Sequence, residues 1–296
     1  MTQQHGRGAL ARFDAMADRA AAQVIEEYST SFSFAARLLA PGVRRDIRNL
    51  YAMVRIADEL VDGAASHAHE DPEAHLAAYE EQVLHAPFHR LHTDPVLHAY
   101  AQTYRRCGFE QRYIEAFFRS MRRDLSDAPH DKASFDEYVY GSAEVVGLLC
   151  LAVFLRGEEP APQDRETMEA GARALGAAFQ KVNFLRDLGE DAAKLGRAYF
   201  PQLAGATPEA LTEALKRELV ADIREDLDRA REAIPLLPTS ARTGVAAAEA
   251  LFRELTERID ATPAEDLTMV RVRVRNGKKV GLVAGAVVKQ MRGGRA

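Results

Sequence analysis

Helical periodicity dominates the pattern of apolar and polar positions along the chain. In the segment 43–62, apolar residues recur at i, i+4, i+7 and i+11 from Leu50 to Val61, which predicts one apolar seam on a helix. Alternation typical of a strand is clear only in the short segment 270–274. Proline and glycine dipeptides separate the helical segments, and we find no repeat of fixed period and no low-complexity linker. The pattern therefore predicts one all-α domain of roughly ten helices.

Two stripes of polar residues border the apolar seams of their helices. The first stripe consists of Tyr51, Arg55, Asp58 and Asp62. The second stripe consists of Gln180, Asn183, Asp187 and Asp191. A solvated face would normally point away from the seam, whereas a stripe beside the seam is where a helical bundle places an internal site. We therefore expect both stripes to face one cavity between two helices.

Each stripe contains two aspartates four residues apart, which share one helical face. One such pair by itself is usually a solvated face. Two pairs, each preceded by an arginine (Arg55 in the first stripe, Arg186 in the second), favour a shared divalent metal. Mg²⁺ takes few protein carboxylates and completes its octahedron with water and phosphate oxygens, and arginine is a bidentate donor to phosphate. The stripes thus predict a magnesium-dependent enzyme that acts on a prenyl diphosphate.

Composition narrows the class of protein. The 296 residues carry a net charge of −5, and their basic residues are scattered except for a cluster from Arg271 to Lys279, so we expect no nucleic-acid partner. Cys107 and Cys150 form no disulfide framework and suggest a reducing compartment. We find no signal peptide and no apolar run near the ~18 residues that span a bilayer. The expected location is the cytoplasm, with at most a peripheral contact to a membrane.

Five motifs resemble those of one known family. They are Asp58-Glu-Leu-Val-Asp62 after Tyr51 and Arg55; Asn183-Phe-Leu-Arg-Asp-Leu-Gly-Glu-Asp191 before Gly196-Arg-Ala-Tyr-Phe-Pro201; Ser29-Thr-Ser-Phe-Ser33; Tyr138-Val-Tyr-Gly-Ser-Ala-Glu-Val-Val-Gly147; and Arg271-Val-Arg-Val274 with Lys278-Lys279. From about Tyr28 to Lys279, this set resembles the squalene/phytoene synthase family. The resemblance implies a single-domain, all-α isoprenoid-synthase bundle with a central cavity. It places the catalytic domain at residues 28–291, after an N-terminal helical extension at residues 1–27.

The resemblance also implies roles for individual residues. The expected metal ligands are Asp58, Asp62, Asn183, Asp187 and Asp191. The expected catalytic residues are those four aspartates together with Arg55, Arg186 and Tyr51. The expected substrate-binding residues are Ser29, Ser31, Phe32, Tyr138, Gln180, Asn183, Tyr199, Arg271 and Lys279. The implied cofactor is Mg²⁺, with Mn²⁺ as a substitute.

The implied reaction is head-to-head condensation of two identical prenyl diphosphates. Phytoene from two geranylgeranyl diphosphates is the first expectation, and squalene or dehydrosqualene from farnesyl diphosphate is the alternative. NADPH is not expected, since no glycine-rich dinucleotide fingerprint follows a strand. Outside the family, a terpene cyclase or a non-enzymatic helical scaffold stays open, and the scaffold would have outward-facing carboxylates and no cavity.

Three features stand apart from the family pattern or from the function. Glu144 stands where the family usually has glycine, which could narrow the cavity, and Phe252 stands where a late helix often carries tyrosine. His85, His89 and His92 have a spacing that would suit metal ligands. Pro87 interrupts that set and its surroundings are polar, so we expect an exposed loop or helix end.

Overall fold

The computed structural model describes residues 2–126, 128–195, 199–203 and 210–293. Within these ranges, the side chains of residues 2–7, Thr30, Ser31, 190–195, Asn276 and 289–293 lie outside the description. The α-helices are α1 (Thr2–Tyr28), α2 (Thr30–Ala36), α3 (Pro41–Asp62), α4 (Ala64–His67), α5 (Pro72–His85), α6 (Pro95–Cys107), α7 (Gln111–Arg123), α8 (Lys132–Val139), α9 (Val145–Phe154), α10 (Pro162–Leu195), α11 (Glu213–Ala233), α12 (Thr239–Ala261), α13 (Ala264–Leu267) and α14 (Asn276–Gly293).

Shorter helical turns complete the architecture. A π-helical turn, Tyr140–Glu144, joins α8 to α9, and 3₁₀ turns occupy Ala86–Phe88, Pro201–Leu203 and Ile234–Leu236. The described ranges contain no β-strand, which confirms the all-α prediction. The alternating pattern at 270–274 does not form a strand: this segment is irregular, because the described residues provide no second strand to complete a hydrogen-bonded ladder.

Local sequence explains where the helices begin and end. Pro41 opens α3 at a position whose N–H would have no intrahelical partner. Asp94 and Asp131 cap α6 and α8 by accepting backbone N–H bonds of 2.8 Å. Gly63, with φ of +133°, ends α3 in a conformation that side chains other than hydrogen disfavour.

Two large clusters of buried apolar residues form the core. One surrounds α3 and includes Leu50 and Phe117, and the other surrounds α10 and includes Val182 and Ile223. Helix α9 contacts both α3 and α10 and so joins the two halves. The helix carrying each polar stripe therefore belongs to a different half of one bundle.

Glycines allow this junction to be tight. A Cβ at Gly176 would lie 2.4 Å from the Ala143 carbonyl oxygen, and one at Gly147 would lie 2.2 Å from the Ala172 carbonyl oxygen. Only glycine permits so close an approach of the two helices at these positions. This approach brings the π turn and α9 against α10.

The N-terminal helix packs against the rest of the bundle. Helix α1 contacts α3 and α6 and buries Ala17 and Ile25 completely, so the N-terminal residues contribute to the core. The domain boundary at residue 28 stays a prediction.

One continuous helical run, Lys132–Phe154, has the length and composition to cross a membrane. The expectation that no segment reaches this length is corrected, because α8, the π turn and α9 form one helix. Half of its most apolar window is buried inside the protein, and a core helix meets the same criterion.

Candidate active site

The polar stripes lie along the edge of the core, with one exception. On α3, Tyr51, Arg55 and Asp58 are half-buried beside fully buried apolar neighbours such as Leu50 and Ala57, whereas Asp62 in the last turn is exposed. On α10, the second stripe alternates in the same way, since Gln180, Asn183, Arg186 and Asp187 are half-buried and Val182, Phe184, Leu185 and Leu188 are buried. Asp191 belongs to this stripe by sequence, but its side chain lies outside the described residues.

Arg55 is fixed by neighbours on three sides. Its guanidinium forms an ion pair with Glu59 and lies 3.9 Å from a carboxylate oxygen of Asp58. Its guanidinium carbon lies 4.5 Å from the ring centroid of Tyr28 at the end of α1, which is a cation–π contact. Glu59 and Tyr28 were not predicted from the sequence. They hold an arginine beside the first pair of aspartates.

Tyr51 sits under the serine-rich segment. Its ring stacks on Phe32 with centroids 5.5 Å apart, and its hydroxyl is hydrogen-bonded to Ser29. Ser29 also caps α2, because its side-chain oxygen accepts from the Phe32 backbone N–H at 3.2 Å. Burial raises the pKa of Tyr51 to about 12, so it is a neutral phenol at physiological pH. Ser31 belongs to the same predicted segment, but its side chain lies outside the description.

Three carboxylates define what we call the carboxylate cluster: Asp58, Asp62 and Asp124. Burial raises the pKa of Asp58 to about 8; Arg55 opposes that shift, and the negative charges of Asp62 and Asp124 add to it. The Asp58 side chain nevertheless keeps 31% of its surface accessible. Asp58 is therefore desolvated by the surrounding bundle although part of its side chain stays accessible.

Asp124 is the main site residue that sequence reasoning missed. It follows α7 directly, and its carboxylate oxygen accepts a 2.9 Å hydrogen bond from the Tyr138 hydroxyl. An acidic group at a helix C-terminus opposes the helix dipole and is locally unfavourable. That mismatch was the only available signal, because the partners of Asp124 are far away along the chain.

Three rings form what we call the aromatic stack: Tyr138, Phe184 and Tyr199. Phe184 and Tyr199 stack with centroids 4.1 Å apart, and Tyr138 stacks on Tyr199 at 5.5 Å. Burial and the nearby charge of Asp124 raise the pKa of Tyr138 well above its usual range. The Tyr138–Asp124 hydrogen bond therefore joins the aromatic stack to the carboxylate cluster, and Phe184 is a second residue that the sequence did not single out.

Three basic residues form what we call the cationic cluster: Arg186, Arg271 and Lys279. The Nε atoms of Arg186 and Arg271 each lie 2.8 Å from an Asp187 carboxylate oxygen. Burial lowers the pKa of Lys279, and the charges of Arg186 and Arg273 lower it further. Positive charge is thus concentrated around one half-buried aspartate.

Backbone packing places Arg271 in this cluster. A Cβ at Gly189 on α10 would lie 2.0 Å from the Thr268 carbonyl oxygen, so only glycine permits this approach. The segment after α13 consequently runs against α10, three residues before Arg271. The sequence predicted Arg271 and Lys279 as substrate-binding residues, and the structure brings both to the second stripe.

The donor set fits a magnesium ion that is completed by substrate. Among the described residues, no three His, Cys, Asp or Glu side chains form a ready-made metal site, and the side chains of Glu190 and Asp191 are not described. The repulsion among the three carboxylates at Asp58 is what a divalent cation would relieve. The assignment of the four aspartates and Asn183 as ligands stays a prediction.

The two residues that depart from the family pattern have partners of their own. Glu144 receives a 2.6 Å bond from Arg173 Nε, and Arg173 is half-exposed, so Glu144 links the π turn to the surface of α10. Phe252 stacks on Phe179 with centroids 3.6 Å apart.

The histidines behave as expected for an exposed loop. His85 and His92 bind backbone carbonyl oxygens at 2.8 Å and 2.9 Å.

The protein is an all-α bundle in which carboxylates, arginines and stacked rings meet at half-buried faces, and this architecture is the isoprenoid-synthase fold. The chain matches the family described as squalene/phytoene synthase over residues 25–278. It is 31% identical to a chloroplastic phytoene synthase of Daucus carota, over 87% of this chain and 67% of the relative. It is 30% identical to a 15-cis-phytoene synthase of a Paracoccus species, over 88% of both chains.

Solved structures show the same fold. A dehydrosqualene synthase superposes with a TM-score of 0.76 at 21% identity, covering 96% of this chain and 99% of that one. The chain belongs to the squalene/phytoene synthase family. It is therefore a prenyltransferase whose reaction class is head-to-head prenyl condensation, which sets aside the terpene cyclase and the non-enzymatic scaffold.

Proposed function

We propose that the protein condenses two molecules of geranylgeranyl diphosphate to phytoene, with Mg²⁺ and without NADPH. The observation that carries the proposal is the Tyr138–Asp124 hydrogen bond, because it sets the aromatic stack beside the carboxylate cluster. A region suited to an allylic cation then adjoins a region suited to a metal-bound diphosphate. Similarity to a plant and a bacterial phytoene synthase supports the choice of the C20 substrate.

The charged residues would act on the leaving diphosphate. Arg186, Arg271 and Lys279 would donate hydrogen bonds to its oxygens as negative charge accumulates there. Bound Mg²⁺, or Mn²⁺ in its place, would supply Lewis-acid stabilisation of the same charge. Its ligands would be Asp58, Asp62, Asp187 and Asp191, with Asn183 assisting.

The aromatic residues would protect and steady the cation. The C2=C3 bond of the second chain attacks the allylic cation, and loss of a proton from C1 of the ionised chain closes the ring to give a cyclopropylcarbinyl diphosphate. A second ionisation and rearrangement give a 1–1′ linked hydrocarbon, and loss of a proton completes phytoene. Stacked faces such as those of Tyr138 and Tyr199 stabilise a desolvated cation by ~2 kcal/mol. Phe32 on Tyr51 would close another side of the site against water.

Loss of a proton needs no reductant, which is why NADPH is not required for this product. Squalene formation would require hydride transfer, whereas dehydrosqualene from the C15 substrate would not. We place the enzyme in the cytoplasm with a peripheral contact to a membrane, because a C40 hydrocarbon can leave only into lipid.

A product assay tests the proposal. Purified protein is incubated with Mg²⁺ and either the C15 or the C20 diphosphate, with and without NADPH, and the hydrocarbons are identified by mass. We expect phytoene from the C20 substrate in both reductant conditions. Exclusive use of the C15 substrate, or an absolute need for NADPH, would assign the enzyme to the squalene branch.

A further inference from the structure

Charge is segregated at the C-terminal end of the chain. Residues 269–296 contain eight Lys and Arg and no Asp or Glu, whereas residues 1–268 contain 31 Lys and Arg against 44 Asp and Glu. A net charge of +8 therefore sits on 28 residues of a protein whose remainder carries −13. Such an asymmetry marks a surface for an anionic partner.

Exposed apolar side chains occur in the same stretch. Met269 is 85% exposed, Val270 is 57% exposed, Val280 is 54% exposed and Val288 is 46% exposed. Single exposed apolar residues are ordinary on a protein surface. Here they lie within twenty residues and among basic side chains, so they combine the two features that bind an interface between water and lipid.

Helix α14 arranges its residues on two distinct faces. Val283 and Ala286 pack towards α12 in a buried cluster. Val280, Ala284 and Val288 recur every four residues and are exposed, which puts them on the opposite side of the helix. By helical register Lys278 borders this exposed face, and its ammonium lies 3.5 Å from Glu254.

We propose that the exposed face of α14, with Met269 and Val270, docks reversibly on an anionic lipid bilayer. The apolar side chains would enter the region between headgroups and acyl chains. Exposed basic residues outside the cationic cluster, such as Arg273 and Arg275, would contact lipid phosphates at ~1 kcal/mol each close to the surface. The choice of lipid rests in part on the proposed function, since a hydrocarbon product needs a membrane to leave the site.

Charge argues for lipid over a second copy of this chain. Two copies joined through this face would bring two segments of +8 together, and like charges across an interface oppose association. An anionic bilayer complements the segment. It also repels the acidic remainder of the protein, so that only this face is drawn to the surface.

Vesicle sedimentation tests the docking surface. Wild-type protein is mixed with vesicles of phosphatidylcholine alone or with added phosphatidylglycerol, over a range of salt. We expect binding to the anionic vesicles that weakens as salt screens the charges. The double variant Val280→Ser and Val288→Ser should bind roughly tenfold more weakly because it loses apolar contact.

The matched control changes two apolar residues that are more exposed but lie elsewhere. Phe88 is 73% exposed and Leu91 is 59% exposed, in the connection between α5 and α6. The double variant Phe88→Ser and Leu91→Ser should bind vesicles as the wild type does. If both double variants lose vesicle binding equally, non-specific hydrophobic adsorption explains the binding and the proposed docking surface is wrong.

Charge is tested separately with Lys289→Gln and Arg292→Gln, two residues whose side chains lie outside the description. These changes should weaken vesicle binding and leave turnover in detergent intact.

Sedimentation equilibrium is run alongside, and a wild-type dimer that dissociates in the Val280/Val288 variant would assign this face to a second copy. If the wild-type protein turns over substrate in detergent but does not bind anionic vesicles, the docking proposal alone is overturned. Vesicle binding without turnover of any prenyl diphosphate would overturn the proposed function alone.

Discussion

Replacing Asp58 by asparagine should remove activity and yet stabilise the metal-free fold. Asp58 lies in the carboxylate cluster, where burial raises its pKa from 3.8 to about 8. Asparagine has nearly the same shape and carries no charge, so it avoids the cost of ionising a desolvated group. Asp58 would then be needed for the reaction although its charge destabilises the metal-free protein.

The sign of the pH dependence follows from proton binding. Between pH 4 and pH 8 the native state of the wild type binds the Asp58 proton and the unfolded state does not. The free energy of unfolding therefore falls as pH rises, by at most about 1.4 kcal/mol per pH unit. The side chain is 31% exposed, and its partial solvation reduces the pKa shift and so narrows the pH window in which this loss occurs. From pH 5.5 to pH 7.5 we expect the wild type to lose about 1–2 kcal/mol relative to the asparagine variant.

Urea unfolding in a metal chelator, monitored by circular dichroism, measures this difference. Wild type and Asp58→Asn are compared at pH 5.5, 6.5 and 7.5, so that titration of the histidines cancels between them. Asp164→Asn, an exposed change at the start of α10, serves as the control and should run parallel to the wild type. Product yield is measured on the same preparations.

Two results would refute this reasoning. Parallel stability profiles for Asp58→Asn and the wild type would mean that Asp58 is ordinarily ionised and solvated, and that burial does not raise its pKa. Wild-type product yield from the variant would remove Asp58 from the metal site whatever its effect on stability.

Two further predictions concern the scaffold. Asp46 is buried and has three arginines within 3.2 Å, so Asp46→Ala should destabilise the protein by about 3–5 kcal/mol in urea unfolding. The control Lys132→Ala removes an exposed ion pair within one helix and should change the free energy of unfolding by less than about 1 kcal/mol. Gly189→Ala should lower the melting temperature and weaken binding of inorganic diphosphate, since its methyl group would collide with the Thr268 carbonyl. The control Gly8→Ala lies in open space on α1 and should be neutral or stabilising by about 0.5–1 kcal/mol. Equal effects at both glycines would contradict the proposed packing.

The helices and the polar stripes could be predicted because both depend on local spacing. A period of 3.6 residues fixes which side chains share a face, so Leu50 took its predicted place in the apolar seam of α3 and Asp58 its place in the stripe that borders the seam. The stripe on α10 was predictable for the same reason. The alternating segment 270–274 did not form a strand, because a strand needs a hydrogen-bonding partner strand that only the tertiary fold can supply.

The parts of the site that escaped prediction depend on contacts between distant segments. Asp124 meets Asp58 and Tyr138 through the packing of separate helices, and its position at a helix C-terminus is the only local signal of this in the sequence. The stacking of Phe184 on Tyr199 likewise arises where α10 meets the segment that follows it. Burial, which sets the pKa of Asp58, is itself a property of the whole bundle.

The two aspartate stripes are in opposite electrostatic states. Asp58 is crowded by other carboxylates, whereas Asp187 is neutralised by Arg186 and Arg271. On the proposed function, Arg186 and Arg271 can transfer their hydrogen bonds from Asp187 to a diphosphate, which frees the Asp187 oxygens for a cation. That exchange conserves the number of charge pairs, so it avoids leaving a half-buried charge without a partner. The second stripe would therefore become a metal site only when diphosphate is present, which protects the empty enzyme from binding cations unproductively.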